Sequence, residues 1–385
     1  VVGAQSSGAK IVGFNCDAFT SYGKEQSHNA PVSDAAAFRY CTALNALLSG
    51  PKSRRHRFGL ADTTIVFWTG ETIRVGASTA EDWFSDMFSG NLPAEDAQDK
   101  AKFDDVMILL RALREGGNAL KNSEIDAGVP VYLLGLAPNA SRLAVRFWHS
   151  ETIGGFFDNL KCHFDDLRMV REFQEGAKTP DREFPGPRML LRETAREPKD
   201  ISPLLEGALM RAILNRTPYP DALAAAIVRR IRADRRISYL RAATLKAWWI
   251  RKHSTQGKLS VSLDTKRPEP AYRLGRLFAA LEKTQQDALG DVNASVRDKF
   301  YSAASATPAV VFPRILRNYQ HHLGKLSVGA RIHRETLIQE IFGDLDAMPN
   351  HLNLEDQALF AIGYYHQRKD LFTKKADKPN TTESE

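Results

Sequence analysis

The 385 residues exceed one typical core, and 43% hydrophobic with 26% charged residues is the balance of a soluble globular chain of about two or three domains. No run reaches the ~18 apolar residues a membrane span needs. Three widely spaced cysteines, Cys16, Cys41 and Cys162, with no C-x-x-C, exclude a disulfide framework and a cysteine zinc site, and fit a cytoplasmic location. The net charge is +7, and its placement is uneven. Residues 221–252 hold nine Lys and Arg against two Asp, a surplus equal to that of the whole chain. A localised basic segment is the footprint of a polyanion partner such as nucleic acid.

The opening VVGAQSSGAKIVGFN has no Met, no basic leader and no long apolar core, so it reads as a chain entered partway. GAQSSGAK fails as a phosphate loop: Ala9 intrudes, Lys10 is one place late, and no Ser or Thr follows. In chain order, AKIVGFNC (9–16), TTIVFWTG (63–70), VPVYLLGLA (129–137) and RLAVRFWHS (142–150) are β-branched and aromatic runs bounded by turn residues, the pattern of strands. PNAS joins the last two as a hairpin turn. Helical periodicity covers 33–48, 99–115 and 152–173. These elements make an α+β domain over 1–173.

A Pro/Gly-rich connector follows over 174–200. After it the spacing is helical throughout, with helices predicted at 202–215, 219–232, 237–253, 269–289, 308–326, 331–343 and 354–370. They divide into a basic helical segment, 201–258, and a helical bundle, 259–370. The polar tail 371–385 is predicted to be disordered. The fold class is therefore an α+β N-terminal half followed by an all-α helical bundle C-terminal half.

On a helix turning about 100° per residue, Leu223, Ala224, Ile227, Val228 and Ile231 share an apolar face. Arg229, Arg232 and Arg236 share the opposite side if the helix continues through Asp234. Arg230, Arg235, Arg241, Lys246, Arg251 and Lys252 complete the cluster, and Trp248 and Trp249 interleave aromatics that can stack bases. Arginine forks match phosphate oxygens bidentately. The i, i+3, i+7, i+11 spacing returns in Arg314, Arg317, His321 and Lys325, on a helix that Pro313 is predicted to kink or shorten. Arg331, His333 and Arg334 form a third, weaker cluster. The competing reading is a solvated helix face.

Candidate chemistry is sparse. His321 and His322 diverge on a helix, as do Cys162 and His163, and the paired aspartates of FDDV (103–106) and FDDL (164–167) read as helix-surface acids. No catalytic residue, metal or cofactor is predicted.

Longer phrases carry a family resemblance. GAKIVGFNCDAFTSYGKEQSHNAPVSDAAAFRYCTALNALL resembles the central region of the large subunit of Cascade, the type I-C CRISPR effector complex, of the Csd family. VYLLGLAPNASRLAVRFW, the stretch from EPAYRLGRLF to NYQHHLGKL, and AIGYYHQRKDLF resemble its later landmarks in order. The resemblance implies a non-enzymatic subunit of an RNA-guided DNA-targeting assembly. It would support target binding, duplex opening near the adjacent motif (PAM), stabilisation of the displaced strand and recruitment of a helicase-nuclease. The implied partners are Cascade backbone subunits, guide RNA (crRNA), double-stranded target DNA and its displaced strand, the helicase-nuclease and separately translated small subunits, with no membrane. A small-subunit start would lie near Leu259 to Val261 at a non-AUG codon, since no Met occurs between Met210 and Met348. Large subunits of this family extend further at the N-terminus, where much of the PAM-proximal apparatus is placed. The resemblance assigns no individual DNA-contacting residue. A structural scaffold whose basic faces bind guide RNA or neighbouring subunits is the alternative, and a metal-dependent nuclease is a third class.

Overall fold

A computed structural model describes residues 1, 3–5, 8–14, 16–60, 62–75, 78–89, 126–171, 181–254, 259–290, 293–343, 345 and 347–373. The predicted helix at 99–115, FDDV and the segment 374–385 lie outside the described residues. The chain divides into two compact units. The first comprises Val1–Phe164, Phe184–Arg192 and Glu197–Thr217, and the second Asp165–Glu183, Glu193–Arg196 and Pro218–Glu385.

The first unit is built on an antiparallel sheet of β1 (Arg57–Leu60), β2 (Thr63–Thr69), β5 (Pro130–Asn139) and β6 (Arg142–Thr152), in the order β1-β2-β5-β6. The two-residue strands β3 (Arg74–Val75) and β4 (Ser78–Thr79) form a separate small pair. The PNAS turn forms as predicted, with Asn139 opposite Arg142 and Ala140 at φ 51°. A bulge follows Gly135, where a Cβ would stand 2.5 Å from the Phe147 ring, so only glycine lets that ring lie across the strand.

Helix α1 (Asp34–Ser49), capped by Ser33, packs Leu48 against Val66 and Leu136 on one face of the sheet. The other face meets α3 (Ala80–Ser89) and α4 (Ile153–Leu167) through aromatics, with Phe84 and Phe156 ring centroids 4.6 Å apart. Short α2 (Ser53–His56), α5 (Pro187–Arg192) and α6 (Pro203–Leu214) complete this unit. Among its described residues the predicted strand at 9–16 does not form, and a single parallel bridge joins Lys10 to Arg142. The predicted helix at 152–173 ends at Leu167, after which Val170 donates to the Val261 carbonyl at 2.9 Å.

The second unit is helical: α7 (Asp221–Asp234), α8 (Tyr239–Lys252), α9 (Pro270–Leu289), α10 (Val296–Ala304), α11 (Pro308–Leu323), α12 (Val328–Gly343) and α13 (Leu354–Phe372). Its core centres on Phe278, whose ring lies 5.6–6.3 Å from those of Tyr301, Phe312, Phe360 and Tyr364. Helices α9 and α13 cross at two glycines. A Cβ on Gly275 would stand 2.1 Å from the Phe360 carbonyl, and one on Gly363 2.1 Å from that of Tyr272. Pro313 does not shorten α11, which begins at Pro308 and runs through it. The thirteen described α-helices and one four-stranded sheet give a small antiparallel sheet in the N-terminal half and a mostly helical C-terminal half.

Candidate nucleic-acid interface

Helix α7 follows Pro220 and buries Leu223, Ala224, Ile227, Val228 and Ile231 on one face. Arg229 and Arg232 stand exposed on the other, one turn apart. The ridge stops there. Asp234 is the last helical residue, and Arg235 takes the left-handed conformation, its amide closing on the Ile231 carbonyl at 2.7 Å. Arg236 is exposed beyond the helix, so the i+7 alignment with Arg229 does not hold.

The termination has a cause. Asp234 accepts from Arg230 at 2.6 Å and from Arg241 at 2.7 Å, holding the turn between α7 and α8. Arg241 also donates to Glu193 at 2.6 Å and to the Arg236 carbonyl at 2.9 Å. Helix α8 is buried almost all round. Lys246 is buried and donates to the Asp166 carbonyl at 3.0 Å, while Arg251 donates to the Asp166 carboxylate at 2.7 Å and lies over the Tyr219 ring. Asp166 is thus the partner of a buried cation, not a surface acid.

Trp248 is fully buried with its indole N–H on Asp221 at 2.9 Å, and Trp249 is 3% exposed beneath Arg267. Neither presents a ring face to a base, which corrects the stacking expectation. Lys252 bridges Asp221 and Glu355, each at 3.1 Å. Hydrogen bonding to Asp221, then to Glu355, raises its ammonium above the usual lysine range against the opposing effect of burial. Arg230, Arg241, Lys246, Arg251 and Lys252 therefore serve the fold. Arg229, Arg232, Arg235 and Arg236 remain as exposed cations without an ion pair among the described residues.

Helix α10 links these arginines to the second cluster. Its start carries a capping box in which Ser295 and Asp298 satisfy each other's backbone amides. The hydrogen bonds from Ser295 hold the Asp298 carboxyl below its ordinary range, and the guanidinium groups of Arg297 and Arg235 add to this against the effect of burial. Arg232 donates to the Ser302 hydroxyl at 3.2 Å on one side of α10. Arg314 of α11 lies 5.5 Å from the Phe300 ring centroid on the other. Lys299, one turn before Ser302, is exposed between them.

Arg317 and His321 continue the α11 stripe in the open, and Lys325 stands exposed just past the helix end. Of the third cluster, Arg331 and His333 are exposed, but Arg334 is buried on Asp287 at 2.9 Å. Lys299 was missed because α10 was not predicted. The spacing Ser295-x-x-Asp298 was the available signal.

Beside Arg229 and Arg232 opens a groove of about 520 Å³, which Ser302 of α10 and Gln357 of α13 also line. Among the described residues no acidic side chain lines it. Guanidinium groups on such a surface can form charge-assisted hydrogen bonds to phosphate without a competing carboxylate. Among the described residues no group of three or more His, Cys, Asp or Glu side chains converges to hold a metal ion, and no helix is long and apolar enough to cross a membrane.

The structure thus combines a sheet-based unit with a helical unit that carries exposed arginines on one helix face. A family model, CRISPR-associated protein (Cas_Csd1), matches residues 1–372, and the chain belongs to that family. It is thereby a member of the large-subunit family of type I-C Cascade, a family of structural subunits that assemble with others. No curated protein matches the chain.

Proposed function

We propose that this subunit is non-catalytic and supports target DNA binding by holding the displaced strand of the opened duplex on the face formed by α7, α10 and α11. The supporting observation is the groove beside Arg229 and Arg232, which no acidic side chain lines among the described residues. Lys299, Arg314 and Arg317 extend the same charge across neighbouring helices. The mechanism is electrostatic. Each phosphate neutralised releases condensed counterions. The exchange of a DNA duplex for a guide–target duplex is nearly balanced, so modest phosphate contacts on the displaced strand tip it toward the open state. Sequence is read by base pairing, and the subunit contributes affinity. Duplex opening beside the PAM, recruitment of a helicase-nuclease, and contacts to guide RNA, backbone subunits and separately translated small subunits belong to the same proposal through the family.

The test is the combined Arg229→Ala, Arg232→Ala, Arg317→Ala variant in the assembled complex. Target binding weakens with unchanged sequence preference, and the log–log salt slope flattens by about 0.7 per lost single-strand phosphate contact. An unchanged slope and affinity overturns the reading. Photoreactive displaced-strand DNA that labels only other subunits overturns it in favour of a scaffold whose basic faces hold guide RNA or neighbouring subunits.

A further inference from the structure

With Trp248 and Trp249 in the core, a different set of aromatics meets the geometry of a stacking surface. Trp68 of β2 and Tyr132 of β5 are cross-strand partners, and Trp148 of β6 stands opposite Leu134, one side-chain position along the same face. The Trp68 and Tyr132 ring centroids are 5.4 Å apart at 26°, and those of Tyr132 and Trp148 are 5.8 Å apart at 27°. Trp68 and Trp148 close the triangle at 5.7 Å. Trp148 is 53% exposed, an unusual state for an indole in a packed trio.

A groove of about 660 Å³ runs along Trp68 and Trp148, with Tyr40, Leu44 and Leu47 of α1 among the residues of its wall. Among the described residues no charged side chain lines it. Cations neighbour its lining residues. Exposed Lys10 and Arg39 immediately precede the lining residues Ile11 and Tyr40. Arg57 pairs with Val66 across β1 and β2, so it shares the sheet face of Trp68.

We propose that this face is a stacking platform for the bases of a single-stranded nucleic acid. A nucleobase has an apolar π-face and a phosphate at its periphery. An uncharged aromatic slot with neighbouring cations matches both parts. Among the described residues no lining carboxylate opposes the backbone. An apolar protein segment would use the slot but not the neighbouring cations. The surface lies in the sheet unit and shares no residue with the arginine face, so it stands without the displaced-strand reading.

The test titrates the full chain with a single-stranded DNA of about 12 nucleotides carrying 2-aminopurine, a length within the range of known single-strand sites. Binding quenches tryptophan fluorescence. Trp148→Ala weakens binding about 5- to 150-fold, the range expected for one lost stacked base, and leaves the salt slope unchanged because no phosphate contact is removed. Trp148→Phe restores most of the affinity. The arginine variants of the helical unit leave this quenching and its midpoint unchanged. Unchanged affinity and quenching in Trp148→Ala overturns the platform. So does a Trp148→Ala chain that binds the oligonucleotide normally but no longer associates with neighbouring subunits, which identifies the face as a protein interface.

Discussion

Glu206 is 3% exposed in the first turn of α6, and its Oε2 has no hydrogen-bond partner. Burial, then the Asp62 carboxylate, pushes its pKa from 4.5 to about 8 against the opposing Arg188 charge. The folded state therefore keeps a proton that the unfolded chain has given up. The stability that Glu206 contributes is full below about pH 4.5 and is lost as pH rises toward about 8. The loss has a slope of up to about 1.4 kcal/mol per pH unit. Glu206→Gln keeps the shape and removes the titration. Relative to the variant, the denaturant midpoint of the parent should fall over this range, since every other titrating group is common to both. The same logic of burial sorts the basic cluster. Arg241 and Arg251 are placed inside, and removing a partner such as Asp166 leaves charge without its carboxylate, a change that destabilises by about 3–5 kcal/mol where no other partner takes over.

At the scale of elements, the two glycines where α9 crosses α13 leave room for backbone alone. Gly363→Ala drives a methyl into the Tyr272 carbonyl, so the helices must separate, at about 1–3 kcal/mol or more. A lower thermal midpoint checks this, with Gly343→Ala as control, since nothing lies within 4 Å of a Cβ there. Helix positions in the C-terminal half were legible because 3.6-residue periodicity is a local property of the chain. The end of α7 was not. Arg235 adopts a left-handed cap without being glycine, and what holds the turn is Asp234, shared by Arg230 and Arg241. Nor was the failure of the 9–16 strand, which meets the sheet at a single bridge from Lys10 to Arg142 rather than along a ladder.

For the molecule as a whole, acid acts on the helical unit where alkali acts on the sheet unit. His366 is 1% exposed, with Nδ1 2.8 Å from the Tyr272 hydroxyl. Burial, then the charges of Lys246 and Arg267, depresses its pKa from 6.5 to about 3. The folded state refuses a proton that the unfolded chain accepts, so stability present above about pH 6.5 is lost as pH falls toward about 3. Amide protection factors, corrected for the intrinsic pH dependence of exchange, should fall in α9 and α13 over that interval, while those in α6 fall as pH rises toward about 8. By itself, the sequence determined the kinds of element, the helical texture of the C-terminal half and the segment holding the charge surplus, because propensity, periodicity and charge are local. Only the tertiary structure decided which cations face outward, since Arg241, Lys246 and Arg251 differ from Arg229 and Arg232 in what packs around them. It also decided where rings meet: Trp68 and Trp148 are far apart in the chain, and the pairing of β2, β5 and β6 brings them onto one face.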